Sequence, residues 1–115
     1  FVEKLQTVST KYRLQKAGEA FPANFMRHYY DIYCLLTLPE VQEFIGTPAY
    51  EARKVQRFRS GDELVAAQNP AFLLEDPEER ARFASEYRKT SALYYNGQPD
   101  LNEILDRIRQ HIDKM

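Results

Sequence analysis

The sequence predicts an all-α domain, a compact multi-helix bundle of about five to six helices. Apolar residues recur at three- and four-residue steps in several separate stretches, the period of a helix face rather than the alternation of a strand. Proline and glycine fall between those stretches, where they act as punctuation. The composition, 43% hydrophobic and 29% charged, lies near the globular average and away from that of disordered chains. At 115 residues a single core is expected, so we assign 1–115 to one helical domain. There is no internal repeat, low-complexity tract or linker.

The elements follow in order. Residues 1–16 place Val2, Leu5, Val8 and Tyr12 on one helical stripe, closed by Ala17-Gly18-Glu19. After Phe21-Pro22, a second helix carries Phe25, Tyr29, Ile32, Tyr33 and Leu36 on one face. Met26, Tyr30, Cys34 and Leu38 occupy much of the rest, so this helix should be nearly surrounded by protein. Pro39 ends or kinks it, and a short helix over 40–45 follows. Thr47 and Pro48 then form an N-cap and first helical position for a helix holding Tyr50, Val55 and Phe58. Residues 60–75 read as a loop with one or two helical turns. Asp76, Pro77, Glu78 and Glu79 start a helix that should run to about residue 95, ended by Asn96-Gly97-Gln98-Pro99. Asp100 with Glu103 resembles a capping box ahead of the clean stripe Leu101, Ile104, Leu105, Ile108 and Ile112.

Several function classes are excluded or weakened at once. Sixteen basic against seventeen acidic residues give a net charge of −1, so no global positive field holds a nucleic acid and any RNA contact must be local. No stretch approaches the roughly 18 to 20 apolar residues that span a bilayer, and no signal-peptide pattern opens the chain, so a cytoplasmic location is expected. The lone Cys34 should be a buried, inert thiol. One cysteine and two distant histidines, His28 and His111, give no zinc spacing, and four unclustered glycines give no phosphate loop. No metal site is assigned to this chain.

What remains polar is sparse. Arg27 and Asp31 stand four apart on the second helix, where they can form an ion pair or reach a common ligand. Lys4 stands one step off the first apolar stripe, a position typical of a solvated lysine. Arg53, Lys54, Arg57 and Arg59 form a basic helix face that could contact RNA or an acidic partner, although a solvated face explains such a run as well.

The segments FVEKLQTVSTKYR, RHYYDIYCLL, TPAYEARKVQRF, NPAFLLEDP and ALYYNGQP, taken in that order, resemble the carboxy-terminal part of the AbiEii/AbiGii-type nucleotidyltransferase toxin family. The resemblance spans nearly the whole chain. It implies that Lys4, ahead of Val8, neutralises the charge of a nucleoside triphosphate, and that Arg27 and Asp31, ahead of Leu35 or Leu36, order the site from the second helix. Lys4 and Asp31 would then be the catalytic pair, and Lys4, Arg27 and His28 the nucleotide-binding group. Many members of the family carry an acid next to the arginine, where this chain has His28. Such enzymes also need carboxylates that hold magnesium against the triphosphate.

This chain opens on Phe1 without a Gly-Ser loop or paired acids. The expectation is therefore a carboxy-terminal fragment, inactive alone, that completes a missing amino-terminal nucleotidyltransferase core. Magnesium and a nucleoside triphosphate would serve the parent protein, with a cognate antitoxin and an RNA acceptor such as a transfer RNA as partners. The alternative is a non-catalytic helical interaction module that binds protein or RNA through the basic helix. A scaffold that only dimerises through its eight Tyr and seven Phe is a third reading, for which core filling is the simpler account. Oligomeric state is not legible in the sequence.

Overall fold

The computed structural model describes residues 1–18, 21, 25–89 and 98–115. Its α-helices are α1 (Val2–Lys16), α2 (Phe25–Leu35), α3 (Pro39–Phe44), α4 (Pro48–Arg57), α5 (Pro70–Leu73), α6 (Pro77–Arg88) and α7 (Leu101–His111), with a 3₁₀ turn at Ala66–Gln68. Among the described residues there is no strand, as expected for an all-α bundle. None of these helices is long and apolar enough to cross a membrane.

Punctuation residues set most of the boundaries. Pro39, Pro48, Pro70 and Pro77 each open a helix, where the missing N–H has no intrahelical partner to lose. Three of those openings are also capped by a side chain. Thr47 accepts from the Tyr50 N–H, Asn69 from that of Ala71, and Asp76 from that of Glu78. Asp100 occupies the N-cap of α7 in an extended conformation but makes no side-chain cap bond, so the expected capping box with Glu103 does not form. The described part of α6 ends at Arg88; the expected continuation to residue 95 and its Asn96-Gly97 stop lie outside the described residues.

α1 is the centre of the packing. It lies against α2, α4 and α5, while α2 also meets α6 and α7. Val2, Leu5, Val8 and Tyr12 are all buried, as the stripe requires, and Leu101, Ile104, Leu105, Ile108 and Ile112 bury the matching face of α7. Between them Phe83 of α6 stands edge-on to four rings, those of Tyr12, Phe21, Phe25 and Tyr29, at centroid distances of 6.0, 5.3, 5.9 and 6.2 Å. Edge-to-face contacts of this kind add stability beyond the area they bury. The Tyr29 hydroxyl, fully buried, donates to the Ala71 carbonyl at 2.7 Å and so ties α5 to α2.

Three expectations need correction. α2 is not surrounded: Phe25, Met26, Tyr29, Ile32 and Leu36 are buried, but Tyr30, Tyr33 and Cys34 are half-buried and Arg27 and Leu38 are exposed. Cys34 is accordingly not a core thiol. In α4, Val55 is 68% exposed while Lys54 is buried. Five residues advance a helix by about 140° beyond a full turn and four by only about 40°, so Lys54 and not Val55 follows Tyr50 inward.

Phe83 fills a fully enclosed position, and its removal should leave a cavity that the four surrounding rings cannot close. Phe83→Ala is expected to destabilise the fold by about 3–5 kcal/mol in urea titrations followed by circular dichroism. A loss below about 1 kcal/mol would show that this ring cluster is not the core.

Candidate functional site

The packing of α1 on α2 brings together polar groups from two distant parts of the sequence. Lys4 borders the buried stripe of α1, and its stem leans toward α2. Its Nζ donates to Asp31 Oδ2 at 2.9 Å and lies 3.4 Å from His28 Nδ1. His28 and Asp31 are three apart on α2 and share one flank of that helix. The pair is partly open to solvent, with the Lys4 side chain 38% and the Asp31 side chain 25% exposed. No apolar side chain separates them.

The electrostatics around His28 are mixed. Its ring is held below its ordinary value of 6.5, first by burial and then by the Lys4 ammonium, with Lys11 and Arg27 adding in the same direction and Asp31 opposing them. Near neutrality the ring is uncharged, and its Nδ1 can accept from Lys4 while Nε2 carries the proton. Lys11 is a cation that the sequence reading passed over. It stands seven residues after Lys4, two turns along the same face of α1, and that spacing was the available signal.

The four sequence-predicted site residues of α1 and α2 are therefore not equivalent. Lys4, His28 and Asp31 converge. Arg27 belongs to the same cationic surroundings but points to solvent and does not pair with Asp31, whose partner is Lys4. Of the two readings open for Arg27 and Asp31, the intrahelical pair does not form, and Asp31 pairs between helices with Lys4.

The basic run on α4 also divides. Arg53 donates to Glu3 Oε1 from its Nε at 3.1 Å and from its second terminal nitrogen at 2.5 Å, and Arg57 Nε lies 3.5 Å from the same oxygen. Lys54 points inward, donates to the Met115 carbonyl and sits 5.0 Å above the Tyr50 ring centre. Burial holds its ammonium below the usual lysine range, with Glu51 opposing. Lys54 is thus a structural lysine and not part of a basic face. Arg59 lies beyond the end of α4, exposed, with its N–H donating to Asp62.

Asp62 is a residue that sequence reasoning missed. Its fully buried carboxylate accepts from Thr10 Oγ1 at 2.6 Å, Arg13 Nε at 3.0 Å and the Arg59 N–H at 3.0 Å. Gly61, at φ +93°, precedes it, and a Cβ there would come within 3.3 Å of the Arg13 guanidinium. Glycine alone fits that turn and that approach. This network closes the 58–63 segment onto α1, beside a recess of about 370 Å³ lined by Ser9, Tyr12, Arg13 and Asn69 among others. A second recess, of about 470 Å³, extends from Tyr12 and Lys16 toward Leu73 and Glu79. Neither contains Lys4, His28 or Asp31, which form an open polar notch and not a closed cavity.

That depressed His28 ring has a signed consequence for stability. Between the folded value and 6.5 the unfolded chain binds the proton and the folded chain does not, so stability rises with pH through that window and falls on acidification. His28→Gln should flatten this component, so that urea midpoints at pH 5.5 and 7.5 lie closer together than in the parent chain. Equal pH dependence in the two proteins would remove His28 from the account.

No curated protein and no solved structure matches the chain. The model of one family, described as nucleotidyl transferase AbiEii toxin of a type IV toxin–antitoxin system, matches residues 1–110. That span runs from the first turn of α1 through α7 and takes in Lys4, His28 and Asp31. The chain belongs to the AbiEii nucleotidyl transferase toxin family.

Proposed function

We propose that this chain forms the helical wall of a nucleotidyl transfer site in an AbiEii-type toxin, with Lys4 as the triphosphate contact and Asp31 as the group that holds it in place. The observation that carries this reading is the convergence of Lys4, His28 and Asp31, 24 and 27 residues apart in sequence, on one open notch. Lys4 also stands in the first turn of α1, at the positive end of the helix dipole. A cation there is locally unfavourable, whereas an anionic ligand is favoured. An ammonium fixed by a carboxylate is a point-charge partner for a phosphoryl oxygen, and nucleotidyl transfer depends chiefly on positioning and charge stabilisation. Arg27, exposed on the same side, can add a second phosphate contact, and His28 can accept or donate beside it.

The residues of the notch do not fit a magnesium site. Asp31 is its one carboxylate and is engaged by Lys4, and the described residues include no group of three or more His, Cys, Asp or Glu able to hold a metal. In this reading magnesium and the nucleotide are held by a separate amino-terminal core of a longer parent protein. This chain supplies the opposing cations and is inactive alone. A cognate antitoxin, an RNA acceptor and a cytoplasmic setting belong to the same proposal. The second reading, an interaction module using the basic helix, now rests on Arg53, Arg57 and Arg59, since Lys54 is buried.

The test is titration of the chain with inorganic tripolyphosphate and with each of the four nucleoside triphosphates, followed by amide chemical shifts. Shifts should cluster on the first turns of α1 and the middle of α2. Lys4→Ala should weaken binding about tenfold, the scale of one charge-assisted contact, and Lys4→Arg should retain most of it. Asp31→Asn should tighten tripolyphosphate binding in the isolated chain, because it removes the competing carboxylate, and should cost the fold no more than about 1 kcal/mol because the pair is half-exposed. Unchanged affinity in Lys4→Ala would end the proposal.

A further inference from the structure

The Glu3 carboxylate is held in an unusual way for an exposed side chain. Its side chain is 50% exposed, yet one of its oxygens receives both edge nitrogens of Arg53 and the approach of Arg57. Its acidity is raised first by its own backbone N–H and then by Arg53, so the ionised form is the one the arginines hold. Two guanidinium groups one helical turn apart, converging on a single anionic oxygen, form a fork suited to multi-oxygen anions such as the tetrahedral phosphate group. Glu3 precedes Lys4 on α1, so this fork and the Lys4 notch are consecutive features of one ridge, the first facing α4 and the second facing α2. Lys11 and Arg27 continue the positive surface on the far side.

We propose that Arg53 and Arg57 are a phosphodiester-binding fork for the RNA acceptor, and that Glu3 occupies it in the free protein as an intramolecular stand-in that RNA must displace. This inference rests on the nucleotidyl transfer reading for its choice of RNA over an acidic protein. An acceptor backbone seated in the fork would lie beside the Lys4 notch, where its reacting end must be delivered. Such a stand-in would keep a surface arginine pair from holding every polyanion it meets. A carboxylate on a short tether competes with weak ligands, and a nucleic acid that makes several contacts at once overcomes it.

The decisive measurement is fluorescence anisotropy of a labelled transfer RNA transcript titrated with the chain at several salt concentrations. Glu3→Gln should tighten binding about two- to fivefold, the scale of one exposed ion pair, whereas Glu103→Gln on α7, the same charge change away from the fork, should not. Arg53→Ala with Arg57→Ala should weaken binding about tenfold or more and lower the slope of log affinity against log salt by roughly 1.4 to 1.8. The doubly lysine-substituted variant, which keeps the charge and loses the fork, should fall between. Circular dichroism of each variant guards against a folding defect, since all these side chains are exposed. If the arginine variants leave transcript affinity and salt slope unchanged, as they would if the fork served a protein partner, or if Glu3→Gln behaves like Glu103→Gln, the proposal is overturned. Tripolyphosphate titrations of the same variants separate the two readings. Loss of the notch by Lys4→Ala and loss of the fork by the arginine substitutions should affect different ligands.

Discussion

The packing of α1 along α2 is the constraint on which the Lys4–His28–Asp31 notch depends. Val2, Leu5, Val8 and Tyr12 are each buried to within 6% of full enclosure. Burying side chains of this size is worth roughly 1.5–3 kcal/mol apiece. By contrast the Lys4–Asp31 pair, half-open to water, contributes at most about 1 kcal/mol. The apolar stripe therefore sets the register, and the ion pair follows it. Because Lys4 lies at the edge of that stripe, any packing that buries Val8 against α2 also carries the ammonium to the flank where His28 and Asp31 emerge. The notch is a consequence of helix periodicity applied twice.

The same logic separates structural from ligand-accessible cations. Arg13 is tied to the buried Asp62, Arg80 donates to the Leu73 and Leu74 carbonyls at a turn where Leu74 takes a left-handed φ of 42°, and Lys54 anchors the Met115 carbonyl. Each closes a loop or an end of the chain onto a helix, satisfying polar groups that burial would otherwise leave unpaired. Lys4, Lys11, Arg27, Arg53 and Arg57 close nothing of that kind. Their partners are partly exposed carboxylates or solvent, the state in which a cation can exchange its partner for a ligand.

Much of the fold was legible because helices announce themselves locally. The stripes of α1 and α7, the proline and N-cap starts of α4 and α6, and the short turns between Ser60 and Glu75 all follow from period and punctuation within a few residues. The errors arose where the pattern was read as composition instead of angle. Val55 was grouped with Tyr50 and Phe58, and Lys54 with the basic face, although their angular positions relative to Tyr50 turn Val55 out and Lys54 in. Glu103 sits at the right spacing for a capping box, but the Asp100 side chain makes no cap bond. The site was legible only through the family resemblance. Nothing local links Lys4 to an aspartate 27 residues away, and still longer separations, of 50 and 49 residues, hid Glu3 from Arg53 and Asp62 from Arg13.

Charge distribution explains how an almost neutral chain can still present a surface to polyanions. Lys4 and Lys16 lie on one straight helix, and at 1.5 Å per residue about 18 Å separates them, more than twice the screening length of about 8 Å at physiological ionic strength. At the far end Lys16 and Tyr12 meet Glu79 of α6, whose first turn adds Glu78 and the capping Asp76. At the near end Glu3 and Asp31 are outnumbered by Lys4, Arg27, Arg53 and Arg57. Across such a distance the acids of α6 are largely screened from the cations around the first turns of α1. The formal charge of −1 thus hides a local cluster of cations near the start of α1. What an approaching phosphate meets depends on which end of α1 it reaches, and the amino-terminal end is also the one where the helix dipole is positive.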